Sequence, residues 1–102
     1  MHAIVQDKLA QIAELCRRHR VRRLELFGSA ATAEFDPARS DLDFLVDFSP
    51  EADAPWLGEY FELKKDLEAL LGRSVDLVMP GAIRNPYFLR SVSATRTVVY
   101  AA

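Results

Sequence analysis

At 102 residues, half of them hydrophobic, the chain has the length of one compact domain and enough apolar side chains to build a core. Its formal net charge of −2 does not advertise a nucleic-acid binder, and its single cysteine, Cys16, excludes an internal disulfide and cysteine-rich zinc sites. With no signal-peptide pattern and no apolar run long enough to span a membrane, the expectation is a single cytoplasmic domain over residues 1–102.

Residues 3–19 carry Val5, Leu9, Ile12 and Cys16 at helical spacing with polar residues between them, which predicts an amphipathic helix with Cys16 on its apolar side. Five arginines follow within the seven residues 17–23. Their plain reading is a solvated helix C-terminus, where cations complement the dipole; a contact with triphosphate, RNA or an acidic partner is the alternative. His2 and His19 are read as exposed and receive no role.

Val21 to Phe27 sets Val21, Leu24, Leu26 and Phe27 against Arg22, Arg23 and Glu25 and ends at Gly28, the pattern of a strand entering a tight turn. Residues 30–40 are small, polar and proline-containing, a loop with room for one helical turn at 30–34. Leu42 to Phe48 is a β-rich apolar run and reads as a central strand. After a loop over 49–54, Trp56, Tyr60, Leu63, Leu67 and Leu70 repeat at helical spacing up to Gly72, a natural C-terminal stop. Val75 to Met79 predicts a short strand, Asn85-Pro86 a start for a helix over 87–93, and Thr97 to Tyr100 a last strand. The short loop between the first two strands favours an antiparallel pair, and the helical crossover to the third favours a parallel one. The fold class expected is α+β, a small mixed sheet with helices packed on it.

The chemistry sits at the strand ends. Gly28-Ser29 closes the first strand; twelve residues after Ser29 comes Asp41-Leu42-Asp43, and a third acid, Asp76, lies inside Val75–Val78. Alternation along a strand places Asp41 and Asp43 on one face, with Leu42, Phe44, Val46 and Phe48 turned to the core on the other. Two carboxylates so placed can share a divalent cation and reach a second about 3.5–4 Å away. The donors are oxygens throughout, which suits magnesium. Glycine permits close backbone approach to a ligand, and the Ser29 hydroxyl can add a hydrogen bond to a phosphate oxygen. Asp76 can ligate metal and accept the proton of an attacking hydroxyl. Taken singly, each element is commonplace: an Asp-x-Asp can merely solvate a strand start, and Gly-Ser an ordinary turn. The ordered set is what nucleotidyl transfer from a nucleoside triphosphate requires.

Leu26-Phe27-Gly28-Ser29, then Ser40-Asp41-Leu42-Asp43-Phe44-Leu45-Val46, then Val75-Asp76-Leu77-Val78 resembles the minimal nucleotidyltransferases of the DNA polymerase β superfamily. More narrowly the chain is similar to the MNT-domain antitoxins of the MntA type, encoded beside HEPN-domain toxins. The likeness extends through Leu71–Val78 and the closing Arg96 to Tyr100. It implies a polymerase β-like nucleotidyltransferase core, with Gly28 and Ser29 holding the triphosphate of ATP, Asp41 and Asp43 binding two magnesium ions, and Asp76 as the third carboxylate. It also implies AMP transfer to a tyrosine of a HEPN toxin, which silences that toxin. Where many relatives have Ala-Arg-Gly after the turn, this chain has Ala31-Thr32-Ala33; Arg39 is the candidate substitute for the missing arginine.

Two other functions stay open. The fold can act as a binding module that neutralises its partner by occlusion, with Trp56, Tyr60, Tyr87 and Phe88 as contact candidates, or as an enzyme whose acceptor is a small molecule or RNA. A chain this short has little room to cradle a small acceptor, which favours a protein partner. Direct nucleic-acid binding and membrane association are not expected, and a homo-oligomer and a hetero-oligomer with the toxin both remain open.

Overall fold

The computed structural model describes residues 3–28, 42–49, 56–79, 90 and 96–102. Helices α1 (Ala3–Gln6) and α2 (Leu9–Arg18) lead into strand β1 (Val21–Phe27), followed by β2 (Leu42–Phe48), α3 (Trp56–Leu71), β3 (Val75–Val78) and β4 (Thr97–Ala101). Four strands form one sheet in the order β3-β2-β1-β4. β1 is antiparallel to both β2 and β4, and β2 is parallel to β3. The α+β expectation, the antiparallel first pair and the parallel crossover are all borne out.

One predicted helix becomes two. The chain tightens at Asp7-Lys8, where the Lys8 N–H reaches back three residues to the Val5 carbonyl (3.0 Å) while the Asp7 N–H reaches back four to Ala3 (2.9 Å). The apolar stripe survives the break: Val5, Ile12 and Cys16 are fully buried. Burial pushes the Cys16 thiol up to about 12, against a smaller opposing pull from the Arg17 charge, so it packs as a small apolar group and is no nucleophile. The C-terminus of α2 lacks a glycine, and Arg20 itself takes the left-handed conformation (φ 60°) that turns the chain into β1. Its carbonyl accepts the Ser49 N–H at 2.9 Å, tying the turn to the end of β2.

The helices cover one face of the sheet. Leu24 and Leu26 of β1, Leu42, Phe44 and Val46 of β2, and Val75 and Leu77 of β3 are buried there with Leu63, Leu67 and Leu71 of α3. Gly72 (φ 69°) stops α3 as its sequence position predicts, its N–H donating to the Glu68 carbonyl at 2.8 Å. Tyr60 packs partly buried against this core and donates its hydroxyl to the Leu77 carbonyl at 2.6 Å, so it is core rather than contact surface. The exposed aromatic on α3 is its neighbour Phe61. The side chain of Trp56, and Tyr87, Phe88 and the expected helix over 87–93, fall outside the described residues apart from the single helical position Arg90. No helix among the described residues is long and apolar enough to cross a membrane.

Candidate active site

The alternating residues of each strand that turn away from the helices set up the site. On that face, where Phe27 and Leu45 form a second, smaller buried cluster with Val78 packed against it, the register aligns three rows across β1 and β2. Phe27 stands opposite Asp43, Glu25 opposite Leu45, and Arg23 opposite Asp47. β3 extends the first two rows: Asp43 is the direct partner of Asp76, and Leu45 of Val78. Neighbouring strands lie roughly 4.8 Å apart. Asp43 and Asp76 therefore stand side by side on one face, at the C-terminal mouth of β1 and the N-terminal ends of β2 and β3.

Gly28 completes the arrangement. Its φ of 74° is left-handed, and a Cβ built on it would sit 2.7 Å from Oδ2 of Asp43. At that distance the Asp43 carboxylate would have to move aside, and the left-handed φ would strain any side chain, so glycine suits the position on both counts. The sequence reading gave Gly28 the job of approaching a ligand; in the fold its first job is to admit the carboxylate that would hold one.

Asp43 is half-buried and Asp76 is exposed. Asp76 lies within an apolar strand and is still exposed: Val75 and Leu77 point to the core, while Asp76 points to the opposite face. Its position is fixed by its neighbours. The Glu68 carboxylate on α3 accepts the Val75 N–H at 3.0 Å, and the Leu42 N–H donates to the Ser74 carbonyl at 3.2 Å. The Val75 N–H holds the Glu68 carboxyl below its ordinary value, with Lys64 adding to the effect.

Next to this row lies a charged group that sequence reasoning placed on the solvated side of β1. Glu25 is only 3% exposed. It accepts from Nε of Arg96 at 2.6 Å and from its terminal nitrogen at 2.7 Å, and from Nε of Arg23 at 2.8 Å. The Arg96 hydrogen bonds hold its carboxyl below the usual range, with Arg23 helping and burial opposing. This two-arginine clamp stitches the start of β4 to β1 beside the acids.

Ser29, Arg39 and Asp41, together with the loop containing Ala31-Thr32-Ala33, fall outside the described residues. Of the proposed site residues, the fold thus brings together Gly28, Asp43 and Asp76. The donors it aligns are carboxylate oxygens, hard ligands that fit a magnesium ion and leave places for water and phosphate.

The arginine cluster lies elsewhere. Arg17, Arg20 and Arg22 line a cavity of about 540 Å³ with Ser49 and Tyr100, at the opposite end of β1. Arg17 is ion-paired to Glu14 (3.0 Å) and Arg22 donates through Nε to Asp47 (3.1 Å), so much of that charge is already matched. His19 corrects a second expectation. It is 4% exposed, with Nδ1 2.9 Å from Glu59 and Nε2 2.7 Å from Asp66.

The chain matches the family model described as a nucleotidyltransferase domain over residues 9–99. It is 40% identical to the protein adenylyltransferase MntA of Thermococcus cleftensis, over 85% of this chain and 81% of that protein. Among solved structures it is similar to one described as a minimal nucleotidyltransferase, with TM-score 0.74, 31% identity and 95% of both chains covered. Its fold is also that of the structure of a tri-AMPylated Shewanella oneidensis HEPN toxin in complex with MNT antitoxin, with TM-score 0.64, 21% identity, and 96% of this chain and 73% of that one covered.

Proposed function

The chain belongs to the nucleotidyltransferase domain family, in its minimal, MntA-type branch, and from that premise we propose that it transfers AMP from ATP to a tyrosine hydroxyl of a HEPN toxin and so acts as the antitoxin. The observation that carries the reading is the register pairing of Asp43 with Asp76 beside the Gly28 turn. The MntA relative bears the name of a protein adenylyltransferase, and the Shewanella neighbour joins an MNT antitoxin to an AMPylated HEPN toxin.

Asp43 and Asp76, with Asp41 two residues before Asp43 in sequence, would hold the two magnesium ions. Magnesium bound there supplies charge stabilisation for the phosphates of ATP. The chain's own residues then have three tasks. The Gly28 turn, with Ser29 and Arg39, seats the triphosphate so that the α-phosphorus faces the acceptor. Asp76, itself exposed, accepts the proton of the tyrosine hydroxyl as the tyrosine oxygen bonds to the α-phosphorus. The bond from the α-phosphorus to the bridging oxygen breaks in line, and pyrophosphate leaves. The acceptor brings its own docking surface to the open edge, which fits a partner protein.

The test is intact-mass analysis of a HEPN protein that co-purifies with this chain, after incubation with the wild type or Asp43→Asn, ATP and magnesium. Adenylyl adducts with the wild type and none with the variant are expected. Toxin neutralised by the Asp43→Asn protein without any adduct would replace the reading with occlusion by binding.

A further inference from the structure

Outside the nucleotide end of the sheet, one cluster has the composition and layering of a metal site. His19 follows the last turn of α2, and Glu59 and Glu62 lie three apart on α3, on one face of that helix. One ligand atom from each lies within 4.8 Å of the others. The imidazole is buried, Glu59 half-buried and Glu62 exposed. Nδ1 of His19 and Oε2 of Glu59 are in hydrogen-bond contact at 2.9 Å, so a small shift of either side chain would let both reach one ion with bonds of about 2.0–2.1 Å. Glu62, free at the surface to change rotamer, can close the set.

The second nitrogen supplies the decisive detail. Nε2 of His19 meets Oδ2 of Asp66 at 2.7 Å, one helical turn beyond Glu62. A metal-bound histidine characteristically donates its remaining N–H to a carboxylate, which fixes the tautomer and the ring plane. The ring here is held between Glu59 at Nδ1 and Asp66 at Nε2, with Glu62 within 4.8 Å. We propose that His19, Glu59 and Glu62 bind one divalent transition-metal ion, of the zinc or cobalt class, with Asp66 orienting the imidazole and water filling the open positions. The site joins α2 to α3 and lies at the Val21–Phe48 end of the sheet. Asp43 is five residues along β2 from that end, roughly 17 Å at strand rise. It differs from the candidate catalytic row in chemistry as well as place, because an imidazole nitrogen selects transition metals and an all-oxygen set selects magnesium. The alternative is a metal-free clip in which a charged imidazole bridges the carboxylates.

Cobalt(II) titration of the full chain in excess magnesium separates the two. The visible d–d absorption of the ion reports nitrogen ligation, and thermal melting with zinc reports stabilisation. The wild type should bind one cobalt ion and melt at higher temperature with zinc. Glu62→Gln, at an exposed position that folding does not need, should weaken cobalt binding at least about tenfold, and Asp66→Asn about ten- to a hundredfold. His19→Gln should abolish the nitrogen-ligated band, and Asp43→Asn should leave it intact. Absence of cobalt binding by the wild type, or equal binding by Glu62→Gln, or loss on Asp43→Asn alone, would overturn the site. None of these results depends on AMP transfer.

Discussion

The two ends of β1 meet the same geometric demand in different ways. At its start Arg20 turns the chain with φ 60°, and at its finish Gly28 turns it with φ 74°. A side-chain-bearing residue in this conformation costs about 1–2 kcal/mol, and the first end carries that cost. At the second end a side chain would in addition displace the Asp43 carboxylate, 2.7 Å from the Cβ position. The charges differ in the same sense. Around the first end Arg22 meets Asp47, Arg17 meets Glu14, and His19 meets Glu59 and Asp66. Near the second the register sets Asp43 beside Asp76, like charges on adjacent strands, which opposes folding. One end is arranged for stability, and the other is the one proposed to hold a cation.

The comparison sharpens first at two neighbours in sequence. Phe44 is buried under the helices while Asp43 faces outward. Phe44→Ala should cost about 3–5 kcal/mol in urea denaturation, whereas Asp43→Asn should cost far less. A large loss of stability on Asp43→Asn would mean that the carboxylate belongs to the scaffold. Next come the two left-handed positions. Gly28→Ala should lose about 1–3 kcal/mol together with transferase activity, while Arg20→Gly should cost nothing and gain up to about 1 kcal/mol.

The Glu25 clamp gives a pH signature of intermediate size. Its carboxyl is held below the ordinary 4.5 by Arg96 and Arg23, so its contribution is fully present above that value and fades as pH falls through the depressed one. Stability measured from neutral pH downward should therefore drop on the acid side in the wild type. Glu25→Gln should be less stable at neutral pH and show a flatter acid limb; parallel curves would break the assignment. The smallest effect belongs to Asp76. In chelator-treated protein, Asp76→Asn should gain about 0.2–1 kcal/mol by relieving its repulsion with Asp43, read as a rise in Tm that added magnesium erases by stabilising only the wild type.

How much of this was legible in the sequence follows from the range of each signal. The strands, the α3 stop at Gly72 and the motif residues Gly28, Asp43 and Asp76 are local patterns of a few residues, and they read correctly as positions in elements. That Asp43 and Asp76 are direct partners required the parallel pairing of β2 with β3, which the crossover helix suggests and the register defines. Glu25 and His19 were misread because their partners are remote. Arg96 lies 71 residues from Glu25, and Glu59 and Asp66 lie 40 and 47 from His19. A charged residue looks solvated until its counter-charge is in view. The break at Asp7-Lys8 escaped for the opposite reason: the apolar stripe runs through it unchanged, and periodicity alone does not register a single tightened turn.

The most direct test compares two acids on the same face of β2. Asp43 stands beside Asp76, and Asp47, four residues along the strand, is paired with Arg22. Initial rates of AMP transfer from ATP to the HEPN partner should fall at least about a hundredfold in Asp43→Asn and stay near wild type in Asp47→Asn. Equal rates for the two variants would contradict the claim that the Gly28 end of the sheet carries the chemistry.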